Sequence, residues 1–215
     1  MFRLALKNLI KDPTRLALTL VGVTFAVVLI FFDVGAYFGF VRAFSLLIDK
    51  SQADIWLTLE NNVNFDSSRP FAESKLWKVR QVQGVEWAEP VAKGWSLIKL
   101  KNGGTDTIMI VGIEPNSRIG WPWKMREGSV ADLAIDDTII LDESAAAKLG
   151  ELRVGDKVEV FDTRVRIVGL SEEVRTFTSY AMAFSNYETA KRLAIVYRAG
   201  GEDQTTFILA KVKAG

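Results

Sequence analysis

Apolar positions crowd the start of the chain: they run almost unbroken from Leu16 to Ile48 and afterwards alternate with polar ones. Leu16–Phe32 (LALTLVGVTFAVVLIFF) carries no charge, and DVGAYFGFV extends it to Val41 with Asp33 as the interruption. About 20 apolar residues span the ~30 Å hydrocarbon core of a bilayer, so the stretch predicts a transmembrane helix. A dozen or so Leu, Ile, Val and Phe contribute on the order of −4 to −7 kcal/mol to insertion, against at most about +3.5 for one central Asp. Rising ~1.5 Å per residue, Asp33 lies roughly 26 Å beyond Leu16, near the far headgroups. It is a candidate intramembrane polar contact to another helix, or an interfacial residue reaching water. Gly22-x3-Ala26 and Gly35-x3-Gly39 would allow close helix packing.

The flanks set an orientation. Arg3, Lys7, Lys11 and Arg15 precede the span with Asp12 as the only acid, whereas Arg42 and Lys50 after it are offset by Asp49 and Asp54. Positive-inside places the N-terminus in the cytoplasm and residues from about Asp49 outside. The apolar core exceeds the about 7–15 residues of a cleaved signal peptide, which predicts an uncleaved anchor. Within Met1–Lys11, Phe2, Leu6, Leu9 and Ile10 share a helical face opposite Arg3, Lys7 and Lys11, the pattern of a short helix lying on the inner headgroups. The expected division is a cytoplasmic amphipathic segment (1–14), a transmembrane helix with its outer extension (15–48) and an extracytoplasmic core domain (49–215).

Beyond the span, periods of two and of 3.6 alternate. Ala53–Leu59 reads as a strand, 61–68 as a loop, and about 72–82 as a helix with Leu76 and Val79 facing in. Val85–Val91 follows as a strand; Trp95–Leu100 and Thr107–Ile113 flank Asn102-Gly103-Gly104 as a hairpin. After a loop at 114–129, Thr138–Leu141 predicts a strand ending at Asp142, the N-cap of a helix Glu143–Leu149 closed by Gly150. Lys157–Phe161 and Val165–Leu170 form a second hairpin, and Phe177–Phe184 is extended. Ser185 or Asn186 caps a helix from Tyr187 to Ala194, and Thr206–Val212 is a last strand. Strands and short helices without a repeat predict an α+β domain.

Composition narrows the chemistry. The absence of cysteine removes thiolate catalysis and thiolate metal sites, and the absence of histidine removes the commonest general base and imidazole ligands. A net charge of +1 gives no electrostatic footprint for nucleic acid. No phosphate-binding lysine loop occurs, so the chain is not expected to bind ATP, another cofactor or a metal, nor to be an enzyme. Ser144 and Lys148 fit a helix start with an exposed lysine better than a dyad, and Ser96 and Lys99 point to opposite faces of a strand. Asp132, Asp136 and Asp137 lack calcium-loop spacing. Trp121-Pro122-Trp123 is the surface candidate: the indoles of Trp121 and Trp123 could anchor a partner or touch headgroups, or else plug a small core. Trp56, Trp77, Trp87 and Trp95 are expected in the core.

Several segments in order carry a family likeness: the basic start and GVTFAVVLIFF, then ADIWLTL, VRQVQGVEWAEPV, IMIVGIEP, IILDESAAAKLG, RVGDKVEV, VRIVGL, VRTFTSYAMAFSNYETAKRL and QTTFILAKV. Together they resemble the N-terminal part of permease subunits of MacB/FtsX-like ABC transporters, especially the DevC type. The resemblance implies one membrane helix before a periplasmic domain made of a porter-like α/β part and an inserted, mostly β part. It implies dimers that work with a cytoplasmic ABC ATPase, which binds the ATP, and with a periplasmic adaptor, exporting a lipid or similar amphiphile. Three further membrane helices of the family pattern are missing here, so the chain is expected to be a truncated or split permease needing its remainder or a second copy. The competing expectation is a single-pass anchored protein whose outer domain binds or assembles partners; a tethered hydrolase lacks any nameable carboxylate pair.

Overall fold

The computed structural model describes residues 11–62, 65–101, 103–174, 181–198 and 203–213. The surface helix expected within Met1–Lys11, Asn102 of the first hairpin and Phe177–Tyr180 of the expected strand lie outside the described residues. The chain divides into two compact units, Met1–Phe44 and Ser45–Gly215.

Helix α1 runs from Pro13 to Lys50, 38 residues without a break. Asp12 precedes it as a cap: its carboxylate accepts from the Arg15 N–H at 3.2 Å and its carbonyl from the Leu16 N–H at 3.1 Å. Pro13 then occupies the first helical position, where its missing N–H costs nothing. Large apolar side chains from Leu18 to Val41 are exposed along it, and it is long and apolar enough to cross a membrane.

The second unit is built on a mixed sheet. Its strands are β1 (Ile55–Leu57), β3 (Val85–Lys99), β4 (Thr105–Ile113), β5 (Met125–Glu127), β6 (Thr138–Asp142), β7 (Lys157–Val160), β8 (Thr163–Ser171), β9 (Ala181–Asn186) and β11 (Phe207–Val212). The order is β1-β11-β3-β4-β9-β6-β8-β5, with β7 beside β3 and β8. Strands β2 (Phe71–Ala72) and β10 (Gln204–Thr205) pair separately. Helix α2 (Lys75–Arg80) lies in the first β–α–β passage. Helix α3 (Glu143–Lys148) follows β6, and α4 (Tyr187–Leu193) and α5 (Ile195–Arg198) follow β9. The α+β class read from the sequence is the class observed.

Alternation along the strands sorts the core onto two faces. Ile108 and Ile110 of β4, Ile139 and Leu141 of β6, and Ala181 and Ala183 of β9 share a cluster with Ala145 and Leu149 around α3 and Ala190 and Leu193 of α4. Their neighbours Met109, Val111, Ile140, Met182 and Phe184 face the other way, toward Leu47, Ile119 and Trp121. The side-chain period of a strand produces this division directly. A third cluster packs Leu76 of α2 on Ala88, Ile208 and Ala210. Gly112 permits the α4 contact, because a Cβ there would stand 2.2 Å from that of Ala190.

Several expectations change in detail. Val85–Val91 and Trp95–Leu100 are not two strands but one, β3, because Gly94 stays extended to let Ala194 and Val196 approach. The helix expected at 72–82 shortens to Lys75–Arg80, since Phe71–Ala72 pairs with Gln204–Thr205. The loop at 114–129 holds β5, which pairs with β8. Trp77 is not in the core: its ring is 62% exposed, beneath the Arg80 guanidinium at 5.1 Å.

Candidate functional site

The final turn of α1 and the segment after β4 form an aromatic socket in the second unit. Ser51 caps the helix, its hydroxyl donating to the Ile48 carbonyl at 2.7 Å and its oxygen accepting from the Ala53 N–H at 3.3 Å. Leu47 is 7% exposed, and its carbonyl receives the indole N–H of Trp121 at 3.0 Å. Carbonyls of a helix's last turn lack partners within the helix, so a buried indole donor satisfies one of them. Gly120 lets the loop come this close: a Cβ there would lie 2.7 Å from the Lys50 carbonyl oxygen.

Around Trp121 the rings are continuous. Trp56 of β1 lies 5.6 Å from Trp121, 5.5 Å from Phe207 and 6.0 Å from Phe65, all between centroids. Phe65 stacks on Phe207 at 5.2 Å, and Phe184 of β9 closes the far side of Trp121 at 6.5 Å. Offset and edge-to-face pairs of this kind contribute about 0.5–1.5 kcal/mol each beyond area burial.

The socket continues into a buried cation. Lys93 is 1% exposed, and its ammonium donates to the carbonyls of Phe65 at 2.6 Å and Asp66 at 2.7 Å. It also sits 4.8 Å from the Phe65 ring and 5.4 Å from that of Trp95, whose indole N–H donates to the Asp66 carbonyl at 3.2 Å. Burial pushes Lys93 down to about 8, with the Asp66 carboxylate opposing. The main chain of Lys93 is held as well, its N–H reaching the Thr206 hydroxyl at 3.1 Å and that of Tyr197 at 3.2 Å. Burial lifts the Tyr197 phenol to about 12 and Tyr187 higher still, so both stay neutral donors at physiological pH.

Lys93 stands at a change of partners. Residues 85–91 of β3 pair with β11, ending at Val91 opposite Phe207; residues 92–99 pair with β4, starting at Ala92 opposite Gly112.

Of the residues singled out in the sequence, Trp121 is 1% exposed and plugs this core rather than presenting an outer face. Trp123 is half-buried, with an indole N–H that has no partner among the described residues. Asp33 lies exposed on α1 within the first unit. Ser144 donates to Asp142 and Ser96 to the Leu193 carbonyl, while Lys99 pairs with Glu159, so neither serine meets a lysine. Among the described residues no acidic cluster could hold a metal ion. Lys93 escaped the sequence reading, since V-A-K-G-W carries no sign that its lysine is buried. Trp56 was expected to be inside and Phe207 to lie on the last strand, but nothing in their spacing tied them to Trp121.

The socket encloses the last turn of α1, with Leu47 packed in the same cluster as Trp121 and bonded to it. A family model, the MacB-like periplasmic core domain, matches residues 16–215. No curated protein matches the chain. Among solved structures, the periplasmic region of MacB from Actinobacillus actinomycetemcomitans is similar with a TM-score of 0.51 at 15% identity, covering 73% of this chain and 71% of that one. The extracellular domain of the ABC-type transporter YknZ from Gram-positive bacteria gives a TM-score of 0.52 at 14% identity, covering 75% and 82%. These likenesses concern the fold; the match of the family model over residues 16–215 places this chain in the MacB-like periplasmic core domain family.

Proposed function

We propose that this chain is a permease-family subunit of an ABC exporter, in which α1 crosses the inner membrane and carries movement between a cytoplasmic ATPase and the periplasmic core domain. The observation that supports it most is the socket. Helix α1 runs unbroken to Lys50, and its last turn is fixed by Trp121, Gly120 and Ser51. A helix held at its end transmits axial or rotational displacement, where a flexible linker would absorb it. ATP hydrolysis belongs to the separate ATPase subunit, and a periplasmic adaptor takes up the movement beyond the domain. A second copy or the remaining permease segment completes the membrane body, and the cargo is a lipid or another amphiphile.

The boundaries that go with this reading are a cytoplasmic segment at 1–14, the membrane helix at 15–48 and the periplasmic domain at 49–215. Asp33 then makes a polar contact with a neighbouring membrane helix, and Trp123, whose indole N–H is buried, meets a partner through the part of the residue that stays exposed.

Because the chain has no cysteine, single cysteines report topology cleanly. Glu60→Cys should react with a membrane-impermeant maleimide in intact cells, and Arg15→Cys only after lysis. Coupling is tested by Trp121→Ala in the assembled transporter. The expected result is a complex that still contains the ATPase but loses adaptor-stimulated ATP hydrolysis. A folded Trp121→Ala variant with full stimulated turnover and export would overturn the coupling role.

A further inference from the structure

On the outward face of the β7–β8 hairpin three cations stand together without acidic partners. Lys157 and Arg166 are directly opposite each other in the antiparallel register. Arg164 lies two residues before Arg166 on the same face, since Val165 between them is buried. All three side chains are exposed, and among the described residues none forms an ion pair. Like charges placed opposite each other on adjacent strands destabilise the pairing. They line a cleft of ≈ 290 Å³ with Ile135, Asp136, Asp137, Thr138 and Val165.

The acids nearby are engaged elsewhere. Asp137 pairs with Arg192 at 2.9 Å, and Asp136 accepts from the Asn186 side-chain amide at 3.1 Å. Glu159, opposite Arg164, is taken by Lys99, on which the charge of Asp162 also falls. Asp137 itself holds a φ of 55° and gives its carbonyl to the Arg166 N–H at 2.9 Å, which fixes the cleft wall to the strand bearing the cations. The cleft therefore keeps an excess of positive charge.

We propose that this cleft binds a phosphate group, borne by a lipid headgroup or by free phosphate. Two guanidinium forks and one ammonium offer more donors than a two-oxygen carboxylate can accept, whereas a phosphate has oxygens for all three. Its negative charge offsets the repulsion between Lys157 and Arg166, so binding and hairpin stability are linked. The cleft lies at the small end of ligand-pocket volumes, about 300 Å³ and upward, which suits a headgroup rather than a whole lipid. The site concerns ligand recognition and stands independently of the coupling role of α1.

The test is thermal unfolding of the full chain in non-ionic detergent micelles, titrated with inorganic phosphate or with dihexanoyl phosphatidic acid, against chloride at matched ionic strength. Phosphate should raise Tm by about 2 °C or more over chloride. Lys157→Gln should raise Tm slightly without ligand, by relieving the like-charge pair, and should weaken the phosphate response about tenfold in midpoint concentration. Arg164→Gln with Arg166→Gln should abolish the response, while Lys75→Gln with Lys78→Gln, exposed cations on α2, should leave it intact. A tighter response to the lipid names the headgroup as the source, and an equal one names the free ion. Equal shifts in chloride and phosphate, or an undiminished shift in the Arg164→Gln/Arg166→Gln variant, would overturn the proposal.

Discussion

The indole N–H of Trp121 donates to the main-chain carbonyl of Leu47 at 3.0 Å, across a sequence separation of 74 residues. This bond and the packing around it tie the loop after β4 to the end of the membrane-type helix. Trp121→Phe keeps a ring but leaves the carbonyl without its buried donor, and should cost about 1–2 kcal/mol. Trp121→Ala also opens a cavity and should cost about 3–5 kcal/mol. Chemical denaturation of the two variants measures both; a negligible loss in Trp121→Phe beside a large one in Trp121→Ala would show that packing alone matters here.

Lys93 gives a pH signature. Its folded-state value is pushed down to about 8, below the ordinary 10.5, so between these limits the unfolded chain binds more protons. Stability therefore rises with pH through this window as the buried ammonium becomes neutral. A neutral amine retains two N–H groups, enough for the carbonyls of Phe65 and Asp66. Relative to Lys93→Met, the native chain should gain up to about 3 kcal/mol between pH 8 and 10.5. Urea unfolding across that range reads the difference, and parallel pH profiles would exclude titration of Lys93 there.

Gly112 and Ala190 are packed backbone to side chain. A methyl at Gly112 would meet the Ala190 Cβ at 2.2 Å and the Tyr187 Cα at 3.1 Å. Gly112→Ala should cost about 3 kcal/mol. The double variant with Ala190→Gly should recover part of this, a coupling that a double-mutant cycle resolves.

Asp142 is 2% exposed and serves two segments: it accepts from the Ser144 N–H and hydroxyl at the start of α3, and from the Val174 N–H at 3.0 Å. Asp142→Ala removes a cap and orphans a buried donor, an expected loss of about 2–3 kcal/mol. Asp142→Asn should lose less, keeping one acceptor oxygen for the cap. Calorimetric melting of both variants ranks them.

What was legible in the sequence is local chemistry. Asp142 caps its helix as read, and of the two residues read as caps for the next, Ser185 and Asn186, it is Asn186 that serves, accepting from the Thr189 N–H at 2.8 Å. Gly103, at φ 84°, sits in the first hairpin turn, and Phe161 and Asp162 turn the second with positive φ. The family likeness carried by IILDESAAAKLG and its companion segments matched the family model over residues 16–215. What was not legible depends on partners distant in the chain. Gly94 looked like a break because the residues that need its bare Cα, Ala194 and Val196, lie a hundred positions on. Nothing beside Lys93 in the sequence points to the carbonyls of Phe65 and Asp66 that cover it. Trp77 follows the apolar stripe of its helix, yet only Leu76 and Val79 reach the sheet.

Strand β3 leaves one set of neighbours and joins another between Val91 and Ala92 with no turn or joint in between. Tension applied on the β11 side therefore reaches β4 through one continuous strand, reinforced across the change of neighbours by the Thr206 hydroxyl, which accepts from the Lys93 N–H and donates to the Lys93 carbonyl. Any slack in this half of the molecule has to be taken up elsewhere, in the connections that flank the strand's partners.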